Sequence, residues 1–198
     1  MCESIYEHLR ALSTPVLVFD LILYGLLPLW LIMGFLDYHC HRTSKIEESS
    51  GITESLLHAV MGVQIGIPIF LGLLFEINVG VLLIMLAALI FHEWVAHLDV
   101  AYARQHRQIS MLEIHVHSFL ETLPFFTVAL IVCINWSAFV DLISFNWEGH
   151  LGLNPKVNST VHYILGYVAL MLFADIVPYI GELTRCWNGG KPKAFGLK

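Results

Sequence analysis

Eleven histidines in 198 residues are the feature of this sequence that most needs a chemical explanation. Four of them follow an acidic residue by four positions: Asp37 and His41, Glu54 and His58, Glu93 and His97, Glu113 and His117. Residues four apart share a face of an α-helix, so each pair sets a carboxylate and an imidazole on one stripe. Chance placement of the same sixteen acids and eleven histidines gives about one such template match. Further candidate ligands stand nearby. Glu121 extends the Glu113–His117 stripe, Asp99 lies seven after His92, and Asp175 precedes Glu182 by seven. His39-Cys40-His41 and His115-Val116-His117 place two imidazoles about 160–200° apart on a helix, so both members can face one centre only where the helix ends or unwinds.

Imidazole mixed with carboxylate suits iron, manganese or zinc; it disfavours Cu(I), which prefers thiolate, and magnesium, which prefers oxygen alone. A single catalytic zinc needs only three protein ligands. The fourteen candidates Asp37, His39, His41, Glu54, His58, His92, Glu93, His97, Asp99, Glu113, His115, His117, Glu121 and Asp175 are enough for two metal ions. Iron is the first choice, with zinc and manganese as alternatives. Soluble di-iron bundles reach the same end with Glu-x-x-His, three apart on each helix.

The elements that must position these groups are membrane helices. Hydrophobic residues make up 57% of the chain and charged ones 13%, with a mean hydropathy of +0.72. Soluble domains carry about 25% charged residues. Five apolar stretches are long enough to cross about 30 Å of hydrocarbon. They run near 16–36, 55–75, 79–95, 119–139 and 162–180, and the third can continue as helix to about His106. The expected fold is therefore all-α, a single domain over 1–198 with five transmembrane helices. The first stretch is too long for a signal peptide and follows Glu3 and Glu7.

Arg42, Lys45, Arg104, Arg107, Arg185, Lys191, Lys193 and Lys198 fall on one side of these spans, and only Arg10 and Lys156 on the other. The positive-inside rule puts the N-terminus outside and the C-terminus in the cytoplasm. Eight histidines then lie at the cytoplasmic face, His106 among them in a surface segment with Arg104 and Arg107. Trp136 and Trp147 belong to the outer aromatic belt, Trp94 and Trp187 to the inner one. Pro28, Pro68, Pro124 and Pro178 are expected to kink their helices, and Gly62 and Gly66 to permit close helix packing. The external loop 140–160 contains a glycosylation sequon at Asn158. A net charge of −6 without a basic run excludes nucleic-acid binding. Four scattered cysteines give no disulfide framework.

From Asp37 to Glu121, through DYHCHR, ESLLH, FHEWVAHLD and EIHVHSFLE, the chain resembles in plan the histidine-box membrane enzymes of the fatty-acid desaturase and hydroxylase superfamilies. Those enzymes hold a dimetal centre under membrane helices on the cytoplasmic side. Their HxxHH boxes are missing here, so only the class carries over. The resemblance implies a di-iron oxidoreductase that uses dioxygen to oxidise a membrane lipid or other apolar substrate. No Rossmann or flavin signature is present, so electrons would come from a separate reductase or ferredoxin. Competing expectations are a membrane zinc hydrolase of lipid amides or esters, with Glu93 or Glu121 as base, and a metal transporter or sensor. A b-type cytochrome would want histidine pairs inside facing spans rather than at their ends.

Overall fold

In lipid each backbone N–H and C=O must be satisfied within its own segment, so long apolar stretches become helices. The computed structural model describes residues 13–156 and 161–189. Among these, five helices are long and apolar enough to span a membrane: α1 (Thr14–Ser44), α2 (Ile52–Leu74), α3 (Val79–His106), α4 (Met111–Ile134) and α6 (Val161–Gly189). A short α5 (Trp136–Ile143) follows α4, and no strand occurs among the described residues. The sequon at Asn158, together with Arg10, Lys191, Lys193 and Lys198, lies outside the described residues.

Every helix that carries candidate ligands runs past its apolar stretch on the side of the histidines. α1 continues through His41 to Ser44 and ends where Lys45 turns left-handed (φ 50°). α4 begins eight residues earlier than hydropathy suggests, at Met111, because Ser110 caps it by accepting from the Glu113 N–H at 3.2 Å. It also stops sooner. The Asn135 side chain donates back to the Ile131 carbonyl (2.8 Å), the backbone leaves the helical region there, and α5 takes up the remainder.

Two of the four prolines coincide with wide π turns. Ile22–Leu26 precedes Pro28, and Leu172–Ile176 precedes Pro178. A helical proline clashes with the carbonyl four residues back. Those carbonyls belong to Tyr24 and Ala174, inside the π turns, where the wider winding makes room. Pro68 and Pro124 sit in regular α-helix.

α3 is the most enclosed of the five spans. Val81, Met85 and Leu89 pack against Val128 of α4, while Val79 and Leu82 pack against Leu142 of α5. Ile22, Leu23, Leu27 and Leu31 of α1 form a second body of core with Leu73, Tyr167 and Met171. At the end away from the candidate ligands, residues after α5 fold back over the bundle. Gly80 donates to the His150 carbonyl at 3.1 Å, and a Cβ on Gly80 would come within 3.0–3.3 Å of Leu151 backbone atoms. Large exposed apolar residues such as Phe91, Phe125, Phe126 and Phe173 face outward. Trp94, Trp136 and Trp187 are exposed as well.

Candidate metal centre

The extended helix ends converge on Asp37. Its carboxylate is fully buried and meets three imidazoles: His41 Nε2 at 3.6 Å, His58 Nε2 at 3.6 Å and His117 Nε2 at 2.8 Å. The four residues come from α1, α2 and α4. Their ligating atoms all lie within 4.8 Å of one another. Two further groups share members with this one, His41 with Glu54 and Glu113, and Glu54 with His58 and Asp99. Seven of the fourteen sequence candidates are thus brought together: Asp37, His41, Glu54, His58, Asp99, Glu113 and His117.

Two of the imidazoles, His41 and His58, direct a proton away from the centre. His58 Nδ1 donates to the Glu54 carbonyl at 2.9 Å, and His41 Nδ1 donates to Glu182 Oε2 at 3.1 Å. A carbonyl or carboxylate can only accept, so these bonds place a proton on Nδ1, and in a neutral imidazole Nε2 then keeps its lone pair. Neither Nε2 has a hydrogen-bond partner among the described residues. His41 Nε2 instead stands 3.6–3.7 Å from oxygens of Asp37, Glu54 and Glu113, and His58 Nε2 is 3.5 Å from Asp99. Two ligands bound about 2.1 Å from one ion are about 3.0–3.4 Å apart at ordinary coordination angles. The 3.5–3.7 Å spacings exceed this by only a few tenths of an ångström, while His117 Nε2 and Asp37 Oδ1, at 2.8 Å, lie closer. Buried polar atoms without partners call for an explanation, and a metal ion supplies one.

Charge balance points the same way. With neutral imidazoles, the buried carboxylates of Asp37, Glu54, Asp99, Glu113 and Glu182 against the one guanidinium of Arg107 leave a formal charge of −4. Buried charge is costly unless paired. Cations bound among these carboxylates would offset that charge. The residues present therefore fit metal, both in donor type and in charge.

Two contributors, Arg107 and Tyr179, escaped the sequence reading of the site, and a third, Glu182, was singled out there only as a further ligand. Arg107, expected at the surface, turns inward after the α3 end and holds Glu54 and Glu113 at once. Its Nε is 3.2 Å from both Glu54 oxygens, its Nη1 is 2.9 Å from Glu113 Oε2, and its Nη2 contacts both carboxylates. Burial works against the Arg107 charge, but the hydrogen bonds to Glu113 and Glu54 outweigh it and hold its pKa above the usual arginine value. Glu182, on α6, orients His41. Tyr179 shares its hydroxyl proton between Asp37 Oδ2 (2.9 Å) and the Gly34 carbonyl (3.2 Å). A cluster of buried acids demands a cation, and that demand was the available signal for Arg107. Tyr179 follows Asp175 by four and precedes Glu182 by three, which was the signal for its face.

The other seven candidates are not drawn in. His39 is exposed because α1 remains helical through it, so it points opposite to His41. His115 is exposed for the same reason, its Nδ1 donating to the Met111 carbonyl. Glu93 and His97 repeat the four-residue spacing, yet both are exposed, since α3 turns its His92–Asp99 face inward. His92, Glu121 and Asp175 lie outside the three groups and line an adjoining cavity.

That cavity measures about 700 Å³ and touches all five long helices. Asp37, His58, Asp99 and His117 stand at one end. From there it follows α2 past Gly62, Gly66 and Phe70 to Phe75, roughly 25 Å at 1.5 Å per residue and most of the hydrocarbon thickness. Its walls are overwhelmingly apolar. Gly62 and Gly66 form a smooth part of that wall, and a Cβ on either would meet nothing within 4 Å, so they do not make the close packing their spacing suggested. Compared with known proteins, the chain matches no family model, no curated protein and no solved structure.

Proposed function

We propose that this protein is a multi-pass membrane oxidoreductase that holds two metal ions, iron by first choice, and oxidises an apolar substrate with dioxygen. The observation that carries the proposal is a pairing. His41 and His58 hand Nδ1 protons to Glu182 and to the Glu54 carbonyl, and His58 lines an apolar cavity together with Asp37, Asp99 and His117. Bound iron would supply the activation of dioxygen and the uptake of electrons. The chain's own residues do the rest. Asp37, His41, His58, His117, Asp99, Glu54 and Glu113 offer the ligand atoms, and Arg107 and Glu182 fix their orientation. The apolar walls bind the substrate and keep bulk water from the centre. A cavity of this size falls within the range of small-molecule sites, about 300–1,000 Å³.

By the distribution of Lys and Arg, the centre lies on the cytoplasmic side, with the N-terminus outside. A soluble reductase or ferredoxin could then reach it from the cytosol. A second reading rests on the Asp37–His41–His58–His117 group alone, which is sufficient to hold one zinc ion. In that case a hydrolase of lipid amides or esters follows. The apolar lining of the cavity speaks against a continuous ion path, and so against transport.

Metal stoichiometry and oxygen reactivity decide between the two readings. Protein from unsupplemented cells should carry two irons per chain. After anaerobic reduction, oxygen should convert a diferrous Mössbauer spectrum into that of a coupled diferric pair. One zinc per chain, with no oxygen response after iron loading, would overturn the proposal in favour of the hydrolase.

A further inference from the structure

Two acids line the cavity outside the metal centre, Glu121 and Asp175, and of these Asp175 is the buried one. Asp175 sits in the π turn Leu172–Ile176 of α6 and is 8% exposed, and neither of its oxygens has a hydrogen-bond partner among the described residues. An acid at membrane depth is costly unless something pairs with it. π turns inside α-helices occur frequently at functional sites. Here the wide turn sets Asp175 against Gly34 of α1, so closely that a Cβ on Gly34 would lie 2.6 Å from Asp175 Oδ1. Gly34 therefore leaves the room that the carboxyl occupies.

A second polar group shares this part of the wall. Trp30 lies one turn from Gly34 on the same face of α1 and lines the cavity, and its buried Nε1 also lacks a partner. Tyr167, earlier on α6, is buried too but makes no hydrogen bond to Asp175. An indole N–H can only donate, whereas a carboxylate can only accept. A hydroxyl group satisfies both, since its oxygen accepts from the indole while its hydrogen goes to the carboxylate. Asp175 stands one helical turn from Tyr179, whose hydroxyl reaches Asp37, so a ligand held there lies beside the metal centre.

We infer that Trp30, Gly34 and Asp175 form a hydroxyl-binding niche in the cavity wall, and that the substrate is a long-chain alcohol or similar apolar molecule bearing a hydroxyl close to the carbon that reacts. This deepens the oxidoreductase reading and rests on its cavity being the substrate site. Asp175 acts here as a binding and positioning group, not as a metal ligand.

Two photoreactive probes test the niche on the full chain in phosphatidylcholine vesicles. One is a long-chain primary alcohol carrying a diazirine, the other the matching alkane. Labelling of the cavity residues Met61, Leu120 and Met171 is normalised to labelling of the lipid-facing Phe125. The alcohol should label the cavity about tenfold more than the alkane, the value of one charge-assisted hydrogen bond. Asp175→Leu should abolish that preference. Asp175→Asn, which keeps an acceptor oxygen without the charge, should leave a reduced preference, between wild type and Asp175→Leu. Trp30→Phe should reduce it severalfold, and serves as the readout where an Asp175 variant fails to fold. Equal labelling by the two probes in the wild type, or an unchanged preference in Asp175→Leu, overturns the niche. Metal content measured on the same samples separates this from the oxidoreductase reading. A metal-free protein that still prefers the alcohol would sink the metal centre and leave the niche standing. A fully loaded protein without preference would sink the niche alone.

Discussion

Replacing Glu182 by Gln tests whether the polar network exists to present metal ligands. Glu182 is fully buried and touches the cluster through one bond, from His41 Nδ1 at 3.1 Å. Glutamine keeps the length and an oxygen acceptor but loses the charge. A hydrogen bond to a charged group is worth about 1.5–3 kcal/mol and a neutral one about 0.5–1.5 kcal/mol. The difference, near 1.4 kcal/mol, is about tenfold in affinity. Carboxylates behind metal-bound histidines typically change affinity by about 10–100-fold when altered. Glu182→Gln should therefore weaken metal binding about tenfold, and Glu182→Ala, which removes the acceptor, by up to about a hundredfold. Competition against a chromophoric chelator in detergent measures both. Glu121→Gln is the control and should bind metal as the wild type does, since Glu121 lines the cavity outside the ligand groups. Wild-type affinity in both Glu182 variants would refute the assignment of His41 as a ligand oriented through its Nδ1.

Three further outcomes follow from the same geometry. Ala at His41, His58 or His117 should each lower bound metal, while Ala at His97 or His115 should leave the stoichiometry unchanged, as read by elemental analysis. Removing Arg107 leaves Glu54 and Glu113 buried without their cation, so Arg107→Ala should destabilise the metal-free protein by about 3–5 kcal/mol in denaturant titration, with Arg107→Lys intermediate. Cysteine labels at the exposed positions Ser44 and Ser110 should react only from the cytoplasmic side and one at Asn154 only from outside; Ser44 and Asn154 reporting the same side would invert or break the topology.

The helices were legible in the sequence because lipid allows so few alternatives. Hydropathy placed all five spans, and the acid-x-x-x-His spacing found three pairs whose members all enter the cluster: Asp37–His41, Glu54–His58 and Glu113–His117. Local spacing suffices there because both members of a pair lie on one stripe of one helix. What spacing could not decide was which way each stripe points. In water, an apolar face marks the core. In a bilayer, the lipid-facing and core-facing sides are both apolar, so the rotation of α3 was hidden. Only packing revealed that His92 and Asp99 face inward while Glu93 and His97 face out. The same packing decided that α1 stays helical through His39, that Arg107 turns inward, and that Tyr179 and Glu182 of α6 reach residues of α1 more than 140 positions earlier. Such contacts depend on how separate helices are docked, and no local pattern in a sequence encodes the rotation of one helix against another.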